Sequence, residues 1–174
     1  MARSSVSALV AAVFVLAAPT WARAWGYEGH EVVVAIAQAY LTPVARARVD
    51  ALLAADTDPL VGHDMLDEST WADRFRSAGH PETGAWHFVD IELDHPDLAS
   101  ACFGFPASGP IASQGPSQDC IIDKLAAFTR ELRDPATPAG ERLLALKYVL
   151  HFMGDIHQRS TQRTTTTRAA TACC

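Results

Sequence analysis

The chain has 174 residues, 49% of them hydrophobic, with 20 acidic against 14 basic side chains and a formal charge of −6. That length suits one domain with a real core, and no linker, repeat or second domain is visible. All 20 acidic residues but only 9 of the 14 basic ones lie between Trp25 and Gln158, a local charge of −11 that excludes a general basic patch for phosphate backbones; a nucleic-acid partner would have to be held by bound cations or a local pocket.

In chain order, Met1 to Ser5 carry Arg3 and lead into the apolar run Val6 to Ala18, too short to span a bilayer, and Ala22 and Ala24 place small residues at the third and first positions before a cut. A secretory signal peptide over 1–24 is predicted, with cleavage before Trp25, a secreted or periplasmic location and no stable membrane association. Glu28 to Tyr40 sets Val32, Val33, Ile36, Ala37 and Tyr40 at helical spacing, and Thr42-Pro43 gives a capping hydroxyl followed by proline at the start of a second helix through Ala55, packed beside the first. Asp67 to Arg76, with Trp71 and Phe75 on one side, reads as a third helix, and Trp86 to Ile91 as a short extended segment. Cys102 and Cys120 bracket a Gly/Pro/Ser-rich stretch and, in an exported chain, are expected to close a loop by a disulfide. Ile121 to Leu132 and Ala139 to His157 complete a mainly helical, all-α single domain; Leu143, Leu144, Leu146, Val149, Leu150, Phe152 and Met153 mark the last helix as mostly buried.

Residues four apart on a helix share a face, so His151 and Asp155 can converge on one ion, and an imidazole with a carboxylate suits zinc. Taken alone, the pair reads equally as a core histidine beside a surface aspartate. Ligand types recur in His30 at the entry to the first helix, Asp73 on the third, and His87 in the extended segment. Each has a plain structural reading as well: His30 at a helix start, Asp73 paired with Arg74 or Arg76, and His87 as a packed aromatic.

Five ordered blocks, Trp25-Gly-x-x-Gly-His30, Tyr40-Leu-Thr-Pro43, Trp71-Ala-Asp73-x-x-Arg76, Trp86-His87-Phe-Val-Asp90 and His151-Phe-Met-Gly-Asp155-Ile-His157-Gln158, resemble the S1/P1 nucleases, zinc-dependent enzymes that cleave single-stranded nucleic acids. The resemblance implies a helical domain of the phospholipase C/P1 nuclease type, a single-stranded DNA or RNA substrate and a monomer. It implies that Trp25, through its α-amino group and carbonyl oxygen, holds one zinc with His30 and Asp155, while Asp73, His87, His151 and the bridging Asp155 hold a second. Asp73 would also act on the attacking water and Arg76 on the charge developing at phosphorus; His157 is left as a non-ligand. The competing readings are a zinc-dependent phospholipase C and a non-catalytic exported zinc-binding fragment.

From Arg159 the character of the sequence changes to a Thr/Arg-rich tail, 159–174, that is expected to be disordered. The family continues after His-Gln with Pro-Leu-His and binds a third zinc there, and those ligands are absent here. Legal codons for Arg159 to Ala172, read with one added C in front, give Pro-Leu-His-Ala-Ala-Asp-Asp-His-Asp-Ala-Gly-Gly-Asn-Cys, so a one-base frameshift after Gln158 and a domain incomplete at its C-terminus are expected. Such a product would leave apolar surface of the Ala139–His157 helix uncovered at roughly 1.5 to 3 kcal/mol per Phe-sized side chain, against a total stability of about 5 to 15 kcal/mol, and is expected to be unstable or weakly active.

Overall fold

The computed structural model describes residues 26–92, 94–102 and 111–158, and the backbone of 162–165. Residues 1–24, where a leader is expected, Trp25 and most of the tail lie outside the described residues.

Helix α1, Tyr27–Tyr40, stops where Pro43 forces Thr42 into extended backbone, and the Thr42 hydroxyl then accepts from Ala45 N to cap α2, Pro43–Leu53. Asp64 caps a short α3, Met65–Glu68, by accepting from Leu66 N and Asp67 N. The hydroxyls of Ser69 and Thr70 then donate back to Leu66 O and Asp67 O, which ends α3 before α4, Trp71–Ser77, begins. The single helix expected from Asp67 to Arg76 is therefore two, separated by a junction at Ser69 and Thr70.

A second correction concerns Trp86 and His87. They close a 3-10 segment, Pro81–His87, and extended backbone begins only at β1, Val89–Glu92. The strand pairs in parallel with β2, Gln162–Thr165, in the register Val89 to Gln162, so four residues of the tail expected to be disordered form a strand. After the short α5, Leu98–Ala101, the Cys102–Cys120 disulfide closes the loop as expected. Helices α6, Ile121–Arg133, and α7, Ala139–His157, follow.

The mainly helical architecture is built around α7, on which α1, α2, α3, α4 and α6 all pack. Both α1 and α2 find their principal partner in α7, not in each other. Three i,i+4 stripes run side by side along its buried arc. Tyr148 and Phe152 join Trp71, Trp86 and Phe128 in one apolar cluster, with Phe128 stacked on Tyr148 at 4.6 Å. Leu146 and Leu150 join Val34, Leu53 and Met65 in another. Between them runs a polar stripe, Lys147, His151 and Asp155, buried as deeply as its neighbours. The large exposed apolar side chains fall mostly elsewhere than expected: α7 contributes Met153, whereas α1 buries His30 and Val34 and leaves Val32, Ile36 and Tyr40 exposed. The helical spacing in α1 marks its outer face because the inner one carries a histidine.

Candidate metal centre

Four elements deliver the polar side chains to one place. His30 stands in the first turn of α1, Asp73 in the first turn of α4, His87 at the end of the 3-10 segment, and His151 and Asp155 on consecutive turns of α7. The three imidazoles are 0 to 2% exposed and Asp155 is 7% exposed. Two groups have the spacing to hold a metal ion, His30, His151 and Asp155, and Asp73, His87 and His151, the ligand atoms within each lying within 4.8 Å of one another.

Backbone carbonyls set the tautomers. His30 Nδ1 donates to His151 O at 3.1 Å, and His151 Nδ1 donates to Ser69 O at 2.7 Å. In a neutral imidazole the other nitrogen then carries a lone pair. His30 Nε2 lies 3.6 Å from Asp155 Oδ1, and His151 Nε2 lies 3.2 Å from Asp155 Oδ2, so the two carboxylate oxygens face imidazoles from different helices. His87 Nδ1 donates to Asp155 Oδ2 at 2.9 Å and is 3.1 Å from His151 Nε2, while its own Nε2 is buried with no hydrogen-bond partner among the described residues. The His30 and His151 rings stack at 4.0 Å.

Burial, with His151 beside it, pushes the His30 imidazole down to about 4, and burial likewise lowers His87, so both are neutral near pH 7. Burial alone would raise Asp155; the imidazoles of His151 and His87 that face it outweigh burial and hold the carboxyl well below the usual range. Asp73 Oδ1 is 3.8 Å from both His87 Nδ1 and His151 Nε2 and accepts from Arg76 Nη2 at 2.7 Å. The Asp73–Arg76 pair thus forms, and its aspartate still reaches the cluster. Asp73 and Arg76 side chains are 28% and 31% exposed, so this edge meets solvent. His157 is apart from the group, with its Nδ1 donating to Met153 O at 2.6 Å. Trp25 lies outside the described residues.

Sequence reasoning overlooked the residues that hold the ligands in place. Ser69 acts through its carbonyl, which no side-chain pattern reveals. Gly154 sits against the His30 ring, where any Cβ would overlap Nδ1. A glycine inside a buried helix, between two ligand candidates, was the available signal.

The S1/P1 nuclease family model matches residues 25–159. Over 136 residues the chain is 31% identical to nuclease S1 of Aspergillus oryzae, covering 77% of this chain and 42% of that protein. It is 25% identical to nuclease P1 of Penicillium citrinum over 138 residues, 77% of this chain and 46% of the relative, and 28% identical to endonuclease 2 of Arabidopsis thaliana over 155 residues, 86% and 49%. The chain spans about half the length of these relatives. With His30, Asp73, His87, His151 and Asp155 from four of the five blocks brought together, the chain belongs to the S1/P1 nuclease family.

Proposed function

We propose that this chain is a zinc-dependent endonuclease that hydrolyses phosphodiester bonds of single-stranded DNA or RNA, works as a monomer, and acts outside the cell or in the periplasm after its leader is removed before Trp25. The observation that carries the reading is the set of lone pairs facing one another: with the imidazole hydrogens of His30 and His151 turned away onto carbonyls, two Nε2 atoms and both Asp155 oxygens converge, and a cation relieves that repulsion. Imidazole nitrogen and carboxylate oxygen are donors zinc accepts, and a carbonyl on the second ring nitrogen is a common support for such a ligand. Trp25, His30 and Asp155 would hold one ion; Asp73, His87, His151 and Asp155 would hold the second.

When bound, the zinc pair supplies positive charge to a phosphate and makes a water acidic enough to attack it, which is how a chain of formal charge −6 can handle a polyanion. The protein's own residues do the rest. Asp73 orients the attacking water and takes its proton at the carboxylate. Arg76 anchors Asp73 Oδ1 through Nη2, and its remaining N–H donors serve the charge that develops on the phosphate oxygens. These two partly exposed side chains are within reach of a polymer in solvent, while the imidazoles stay dry. Among the described residues no helix is long and apolar enough to cross a membrane.

The test is cleavage of single-stranded DNA and RNA by the purified protein, run beside phosphatidylcholine vesicles, with zinc content measured by mass spectrometry. Expected are two zinc ions per chain, nicking that stops on chelation and returns with zinc, and no release of phosphocholine. Bound zinc with no nucleic-acid cleavage would sink the nuclease reading, and phosphocholine release would replace it with a phospholipase.

A further inference from the structure

The protein buries a second group of charges, beside the metal cluster, that none of the roles above employs. Lys147 is 1% exposed; its Nζ donates to Asp56 Oδ2 at 2.6 Å, lies 3.4 Å from Asp58 Oδ2 and 3.6 Å from Glu68 Oε2, and sits 4.3 Å over the Trp71 ring. Asp56 Oδ1 accepts from Asp58 N, and Asp58 uses its two oxygens to accept from Leu60 N and from Trp71 Nε1 at 2.6 Å. One ammonium among three carboxyl groups is a poor device for stability alone, since apolar side chains of similar volume commonly serve as well in such a place. What distinguishes it is the set of elements it ties together.

Lys147 lies one turn before His151 in the polar stripe of α7. Its partners Glu68 and Trp71 flank the α3–α4 junction, whose Ser69 carbonyl receives His151 Nδ1 at 2.7 Å, and Asp73 follows Trp71 by two residues. Through Asp58 the same ammonium steadies the Trp71 indole, at the start of the helix that carries Asp73 and Arg76. The junction is short, and the bonds that the N–H groups and hydroxyls of Ser69 and Thr70 donate all return to α3. It needs an external anchor to fix where the Ser69 carbonyl points.

We propose that Lys147, with Asp56 and Asp58, is a positioning centre for the metal site: it locks the α3–α4 junction onto α7 so that Ser69 O holds the His151 hydrogen at Nδ1 and leaves Nε2 to the ion. The inference rests on the zinc reading only for its affinity readout; the tautomer is measured without metal.

The experiment compares the full chain with Lys147→Met, Asp58→Asn and Phe128→Leu. Asp58→Asn keeps one oxygen for Trp71 Nε1 and removes the charge together with the acceptor for Leu60 N, a smaller change than losing the ammonium, so it serves if Lys147→Met fails to fold. Phe128→Leu loosens the apolar cluster where it stacks on Tyr148, leaves every charged partner of Lys147 in place, and controls for lost stability. Nitrogen-15 shifts of His151 are read by NMR in zinc-free protein, and zinc affinity is read by titration. Expected are a His151 ring that leaves the pure Nδ1–H form and a zinc affinity lowered about tenfold or more in the charge variants, with both unchanged in the control. Folded charge variants that keep the Nδ1–H form overturn the proposal, as does a control that loses it equally. A wild-type protein that binds no zinc would defeat the zinc reading and leave the tautomer result to decide this one.

Discussion

Gly154 and His30 meet across the α1–α7 interface so closely that a Cβ at position 154 would overlap three atoms of the imidazole. On local grounds alanine should be preferred there, since glycine inside a helix costs about 1 kcal/mol relative to alanine. The ring has little freedom to retreat: Nδ1, the atom the Cβ would strike, is tied in the ring plane to His151 O, and the ring stacks on His151. Gly154→Ala is therefore expected to lower stability by roughly 1 to 3 kcal/mol through overpacking, and to weaken zinc binding as His30 is displaced, with α7 still helical. Urea unfolding with a zinc titration checks both; a variant more stable than wild type with unchanged zinc affinity would count against the contact.

Asp155 faces His30 with one oxygen and His87 and His151 with the other. A bridging role predicts an asymmetry between two substitutions. Asp155→Asn should release both zinc ions, whereas His30→Gln should remove one ion and spare the Asp73, His87 and His151 group. Mass spectrometry under native conditions counts the ions directly, and loss of a single ion in both variants would speak against the bridge.

The ligand candidates that come together were legible because each sits in a short, distinctive block; helical periodicity put His151 and Asp155 on one face, and only the other blocks turned that pair into a candidate site. Long elements were legible too: α7 runs from Ala139 to His157 as its apolar pattern requires. The break at Ser69 and Thr70 was not, because it arises from hydroxyls bonding back to their own turn, a choice the periodicity of Trp71 and Phe75 does not report. Trp86 and His87 have strand-like side chains, yet Pro81 opens a 3-10 turn that carries them, and tertiary burial overrides propensity. Lys147 passed unnoticed inside an apolar run because its three partners come from 79 to 91 residues away, and a buried charge is visible only when the fold assembles its counter-charges.

Cys102 and Cys120 are both buried and join the end of α5 to the start of α6. Closing a loop with a sequence separation of 18 removes freedom from the unfolded chain worth about 3 kcal/mol. Cys102→Ser with Cys120→Ser is expected to lower the midpoint of thermal unfolding, and reductant should lower it in wild type but not in the double variant. The zinc count should stay unchanged, because neither cysteine touches the metal cluster.

Two buried groups give the zinc-free protein opposite responses to pH. Burial, helped by Asp56, raises the Glu68 carboxyl from 4.5 to about 8, so its protonated form is the one the fold prefers: the associated stability is complete below pH 4.5 and is lost as pH rises through about 8. His30 is lowered from 6.5 to about 4, so the unfolded chain takes up the proton first and stability falls as pH drops from 6.5 towards 4. Asp56, which burial would raise but which Glu68 and Lys147 hold at about 2, keeps its contribution throughout the range between those limits and loses it only in stronger acid. Glu68→Gln removes the alkaline limb. Relative to wild type, the glutamine variant should gain roughly 3 kcal/mol between pH 5 and pH 8 in urea unfolding of zinc-stripped protein. His30→Gln should instead make the acid limb shallower, His87 keeping its own share, and leave the alkaline one intact. Parallel curves for wild type and both variants would mean that neither group carries its shift, and the burial that separates the two limbs would have to be assigned elsewhere.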